Sequence, residues 1–164
     1  MSVVNMIKTV KRIHADDVVL VKIGEFYHAY GKDACIMSFV FDYKLKNIEL
    51  GMYECGFPVR ALPKIQAELE RQRINYLLVD RRNNYEVDEW CDNKSDNKYD
   101  VISERAYTYV KTKEKIDNIY SYLLMEINSK DVLEKITKIE DILKNAWRTF
   151  QSITTHKRID CKSR

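Results

Sequence analysis

Apolar residues at Val3, Val4, Met6, Ile7, Val10 and Ile13 recur at near-helical spacing, which predicts a short amphipathic helix over 3–13. Asp16-Asp17 breaks the pattern. The run Val18-Val19-Leu20-Val21-Lys22-Ile23 follows, β-branched and apolar, bounded by Gly24. Its length and composition predict a buried strand. Between Gly24 and Gly31 lies an aromatic cluster, Phe26, Tyr27 and Tyr30. From Lys32 or Asp33 a helix is expected to about Tyr43, with Ala34, Met37, Val40 and Phe41 on one face and Asp33 placed to favour the helix dipole. A second strand is read at 48–55, interrupted by Gly51, then a turn at Gly56-Phe57-Pro58. A helix over about 61–73 tolerates Pro63 only in its first turn. A third strand spans 74–80, and Tyr85-Glu86-Val87 is a weaker fourth.

Beyond the polar stretch 91–99 the period changes. Ile116, Tyr120, Leu123 and Ile127 step by four, three and four residues. Val132, Ile136, Ile139, Leu143, Ala146, Phe150 and Ile153 then hold a heptad spacing, with Asn128 or Ser129 as a candidate cap. The pattern predicts an antiparallel helical hairpin. Two helices cannot bury both stripes alone. The seam must therefore meet the rest of the chain, a second copy or a partner protein.

Composition sharpens this division. The 164 residues contain 4 Gly and 2 Pro, where an average soluble chain would carry roughly 20. All six lie between Gly24 and Pro63. An all-β sandwich needs turn residues throughout, so it is excluded. The expected fold is mixed α/β (α+β): a small mixed sheet flanked by helices over 1–90, a linker at 91–99, the hairpin at 100–155 and a basic tail at 156–164. The net charge of +3 predicts nothing by itself about nucleic acid. It arises wholly after residue 90, since residues 1–90 carry 13 basic and 13 acidic side chains. Cys35, Cys55, Cys91 and Cys161 form no CxxC pair, and the N-terminus has no signal-like apolar region. A reduced, cytoplasmic protein without a membrane span is expected.

Catalytic signals are thin. The chain has three histidines, His14, His28 and His156, and no GxSxG, HExxH or GxGxxG motif. Gly31-Lys32 resembles the end of a P-loop, but Gly24 is too far back and Asp33 stands where Ser or Thr is required. No nucleotide, metal or other cofactor is expected, and no catalytic residue. The informative segment is Gly24-Glu25-Phe26-Tyr27-His28-Ala29-Tyr30-Gly31. Adjacent residues of an extended segment point to opposite faces, so Phe26 and Tyr27 cannot both enter the core. An outward Phe at a rigid strand end can wedge into a base step, at least cost where pairing is already weakened. Partial burial of both rings, with no function, stands as the alternative.

Residues 19–34, from Val19 through Gly24-Glu25-Phe26-Tyr27-His28 to Asp33-Ala34, resemble the N-terminal mismatch-recognition domain of MutS proteins. There a strand ends in Gly-Asp-Phe-Tyr-Glu before a helix with an Asp-Ala pair. Gly56-Phe57-Pro58-Val59-Arg60-Ala61 is similar to the family's Gly-Ile-Pro-Tyr-His-Ala, followed by a helix and the strand ending Leu78-Val79-Asp80. The resemblance covers about residues 2–82. It implies a domain that contacts distorted double-stranded DNA, with Phe26 as the stacking wedge. His28 occupies the position of the family's base-bonding Glu. A carboxylate only accepts hydrogen bonds, whereas imidazole donates or accepts. Arg60, at the family's His, is a candidate phosphate partner, as are Lys22, Lys44 and Lys46, which also read as plain solubility residues. The 164 residues hold no counterpart of the family's ATPase or clamp. The expected function is therefore non-enzymatic DNA binding. The alternative is a scaffold that keeps only the fold and works through its hairpin.

Overall fold

The computed structural model describes residues 3–48, 52–83, 86–93 and 96–160. Helix α1 (Val3–Ile13) is followed by strands β1 (Val18–Ile23) and β2 (Phe26–Tyr30), helix α2 (Lys32–Phe41), β3 (Lys46–Asn47), β4 (Tyr53–Pro58), α3 (Leu62–Arg71), β5 (Tyr76–Asp80), β6 (Val87–Cys91), and the long helices α4 (Tyr99–Met125) and α5 (Val132–Asp160). The six strands form one mixed sheet in the order β3-β4-β2-β1-β5-β6. β1 and β5 pair in parallel, and every other pairing is antiparallel.

β1 is central, and Val18, Val19, Leu20 and Val21 are all buried. A strand covered on both faces needs no polar alternation, hence the unbroken apolar run. Val19 and Val21 join Met6 and Ile7 of α1, together with Tyr30, Leu77 and Val79. Val18 and Leu20 face the larger cluster, which contains Tyr27, Ile36, Phe57, Leu69 and Tyr76. Gly24 and Glu25 connect β1 to β2, since Ile23 pairs with Phe26. Gly24 takes a φ of 62°, as a II′-type loop requires at its first position.

Three sequence expectations shift. Gly56, Phe57 and Pro58 form no turn. They are strand residues of β4, paired with His28, Tyr27 and Phe26. Phe57 is fully buried, and its ring stacks on Tyr27 at 5.7 Å and on Tyr43 at 5.6 Å. That burial overrides the Gly and Pro punctuation, and Pro58 sits at the strand end where a missing N–H is tolerated. The strand expected at 48–55 divides into β3 and β4, joined where Ile48 N–H donates to the Met52 carbonyl at 2.8 Å. The weak strand near Val87 extends to Cys91 because it pairs with β5.

The polar residues after β6 make a clasp. Asn75 donates to Asp92 at 3.2 Å and accepts from the Asn93 N–H at 2.8 Å. Asn97 accepts from the Asn75 and Tyr99 N–H groups, both at 3.1 Å, and so caps α4. Tyr99, Ala106 and Val110 enter the larger core. Asp33, 1% exposed, is buried in the first turn of α2. It accepts from Lys11 Nζ at 2.7 Å, Tyr99 OH at 2.7 Å and the Val19 N–H at 3.0 Å. One carboxylate thus joins α1, β1, α2 and α4.

The chain divides into two compact units, one ending at Lys113 and one beginning at Glu114. The second consists of the remainder of α4, the turn after it and α5. Here Leu133, Ile142, Leu143 and Trp147 are exposed, while Val132 is buried and Ile136 half-buried. Gly51, Tyr85, Cys161, Lys162 and Arg164, and the side chains of Phe150, Ile153, His156, Lys157 and Arg158, lie outside the described residues.

Candidate nucleic-acid interface

The β1–β2 hairpin places the aromatic cluster. Along β2, Tyr27 and Ala29 enter the larger core, while Phe26, His28 and Tyr30 project to the α1 side. Tyr27 is therefore the inward ring of the adjacent pair, held against Phe57, and burial pushes its hydroxyl upward in pKa. Phe26 remains 49% exposed at the hairpin tip. The tip is firmly held: Phe26 pairs with both Ile23 and Pro58, and the Glu25 carbonyl accepts from the Val59 N–H at 3.0 Å.

That last bond brings Arg60 to the site. Residues Val59–Ala61 form a 3-10 turn, and Glu25, Phe26, Pro58, Val59 and Arg60 line an open recess of about 300 Å³. His28 lies further along the same sheet face. Its Nδ1 is 2.9 Å from Glu54 Oε1, and its ring lies 6.4 Å from Phe26 and 6.3 Å from Tyr30, nearly parallel to the latter. Lys46 is paired with Glu54, so it shares this face.

The remaining candidates separate. Lys22 pairs with Tyr27 across the hairpin, so it belongs to the opposite face from Phe26 and His28. Its ammonium lies 3.8 Å from Asp80. Asp80 also accepts from the Arg82 backbone N–H and its guanidinium, which with Lys22 hold its carboxyl below the usual range. Lys44 is exposed in the connection between α2 and β3. Glu54, Glu25 and Arg82 were not foreseen. Only the strand register could have revealed Glu54, which is 26 residues from His28. Charge of both signs lies at each end of β2: Glu25 and Arg60 at the tip, and Glu54 with Lys46 at the end opposite Tyr30. Among the described residues no group of His, Cys, Asp and Glu is placed to hold a metal ion, and no helix is long and apolar enough to cross a membrane.

In a comparison with protein families, the model for MutS domain I aligns with residues 2–113. The chain belongs to the MutS domain I family. The match extends past the 2–82 of the motifs to include β6 and the first half of α4, and it ends at the residue where the first compact unit ends. No curated protein matches the chain. Within this MutS-like domain the Gly-x-Phe-Tyr segment is Gly24 to Tyr27, followed by His28.

Proposed function

We propose that the chain is a non-enzymatic DNA-binding module that recognises mismatched or otherwise distorted duplexes through Phe26. The supporting observation is the pairing of a half-exposed Phe26 at a clamped hairpin tip with Arg60 in one recess. Inserting an aromatic wedge unstacks a base step at a cost of a few kcal/mol, less where pairing is already broken. Stacking returns about 1–3 kcal/mol. The module therefore gains at a mismatch and not along an intact duplex. Arg60 supplies a phosphate contact that sets register without reading sequence.

Fluorescence anisotropy with homoduplex, single-mismatch and single-stranded DNA at two salt concentrations tests this. Wild-type protein should favour the mismatch duplex and lose affinity steeply with salt. Phe26→Ala should abolish the preference. Arg60→Ala should weaken all duplexes alike and lower the salt slope by about one. A Phe26→Ala variant that binds mismatch DNA as selectively as wild type refutes the wedge.

A second reading is favoured by the exposed Leu133, Ile142, Leu143 and Trp147 of α5. In it, the helix docks a second copy or a partner protein, and the sheet domain contributes only its fold. Sedimentation at micromolar concentration should then show a dimer that Leu143→Glu dissolves. A monomer throughout removes the homodimer.

A further inference from the structure

The replacement of the family Glu by His28 coincides with a carboxylate on the next strand. Among the described residues, the hydrogen-bond partner of the His28 ring is Glu54, with Nδ1 2.9 Å from Oε1. The ring is seated by its surroundings. Gly56 is paired with His28, and a Cβ at position 56 would come within 3.3 Å of both Nδ1 and Cε1. That distance is tighter than ordinary contact, so the missing side chain leaves the ring its place. The Phe26 and Tyr30 rings flank it on the same face.

These contacts decide the chemistry that the imidazole presents. An ionised carboxylate can only accept, so Nδ1 must carry the proton. In a neutral ring Nε2 is then an unprotonated acceptor. We propose that Glu54 is a positioning residue that locks His28 in the Nδ1–H tautomer, so that Nε2 accepts a hydrogen bond from a base displaced beside Phe26. This deepens the DNA-binding reading and rests on it. The site accepts at the motif position, as a carboxylate would, and the carboxylate itself has moved to β4 as the group that orients the reader.

The consequence is a selectivity. At the centre of the pairing edge thymine and guanine carry a ring N–H, where adenine and cytosine have a bare ring nitrogen and donate only from the exocyclic amine beside it. An acceptor fixed on that central position therefore favours a G·T over an A·C mismatch. One hydrogen bond of ordinary net strength corresponds to about 3- to 10-fold in affinity.

Two measurements test the assignment. Long-range ¹⁵N–¹H correlation spectra of the DNA-free full chain at about pH 8 report the tautomer of His28 directly. A protonated Nδ1 and a bare Nε2 are expected in wild type, and a mixture in Glu54→Gln, whose amide can accept or donate. An Nε2–H tautomer, or a doubly protonated ring, overturns the proposal. Anisotropy with otherwise identical G·T and A·C duplexes should show the preference in wild type and its loss in Glu54→Gln, which keeps Phe26 and so still separates mismatch from homoduplex. If Glu54→Gln keeps the wild-type G·T to A·C ratio, the role of Glu54 falls and the wedge stands. If no mismatch preference exists in wild type, the DNA-recognition reading falls, and the base contact with it.

Discussion

Asp33→Ala should unfold much of the stability of the sheet domain. The carboxylate is buried and meets three donors: Lys11 Nζ, Tyr99 OH and the Val19 N–H. Burial pushes its pKa up, and those three contacts pull it down. The Val19 N–H has a specific need of it. Val18 N–H donates to the Asn75 carbonyl on the β5 side, at 2.8 Å. Val19 N–H points the other way, beyond the pairing with β2, which begins at Val21. Asp33 takes the place of the absent strand. An orphaned buried N–H costs about 1–3 kcal/mol. Breaking a buried ion pair costs about 3–5 kcal/mol in total. Lys11 keeps the Asp17 carbonyl at 2.5 Å and the Tyr99 oxygen at 3.0 Å, which holds the sum to about 3–5 kcal/mol. For a domain stable by about 5–15 kcal/mol this is a large fraction. The chain has two tryptophans, so in a Trp147→Phe background Trp90 fluorescence follows the first unit through urea unfolding. A midpoint lowered by about 1–3 M is expected. A double-mutant cycle of Lys11→Met with Asp33→Asn should show coupling above about 1 kcal/mol. Additive effects, or a loss from Asp33→Ala below about 1 kcal/mol, would refute the network as a structural joint.

Gly31 has φ 59° and ψ −126°, a conformation that side chains resist. A Cβ there would meet nothing within 4 Å, so Gly31→Ala should cost about 1–3 kcal/mol from backbone strain alone; an unchanged urea midpoint contradicts this. The bonds from Arg71 and Gln72 to Glu68 hold its carboxyl at about 2. Because this lies below the unfolded value, its contribution is present above about pH 4.5 and is lost as pH falls towards 2. A carboxyl NMR titration should place Glu68 there and show Arg71→Ala raising it; unchanged titration in the variant rejects the attribution. Burial pushes the Cys55 thiol up to about 12, so it should resist alkylation at neutral pH until urea unfolds the chain. Labelling of Cys55 in the native protein would contradict its burial.

The motif segments made the family legible because they are local. Gly24 to Tyr27 and Gly56 to Arg60 each lie within a few residues, and their order and spacing survive in the sequence. The helices and strands β1 and β5 were likewise legible from their patterns. The turn read at Gly56 to Pro58 was not, since only the distant rings of Tyr27 and Tyr43 make Phe57 a core residue. Asp33 looked like a simple dipole partner until Tyr99, 66 residues away, closed over it.

The alternation along β2 determined by itself that Phe26 and Tyr27 take opposite faces, and that Phe26 and His28 share one. It did not determine which face is the core. Pairing with β4 decided that, by offering Tyr27 a buried stacking partner in Phe57. The same pairing brought Glu54 to His28 and Arg60 to Phe26, and the face parity of β1 set Lys22 apart from both. Periodicity along a chain records which positions share a side, because side-chain direction follows from local backbone geometry. Register between strands is settled by burial summed over residues far apart in sequence, so which polar groups meet across the sheet was decided in the tertiary structure.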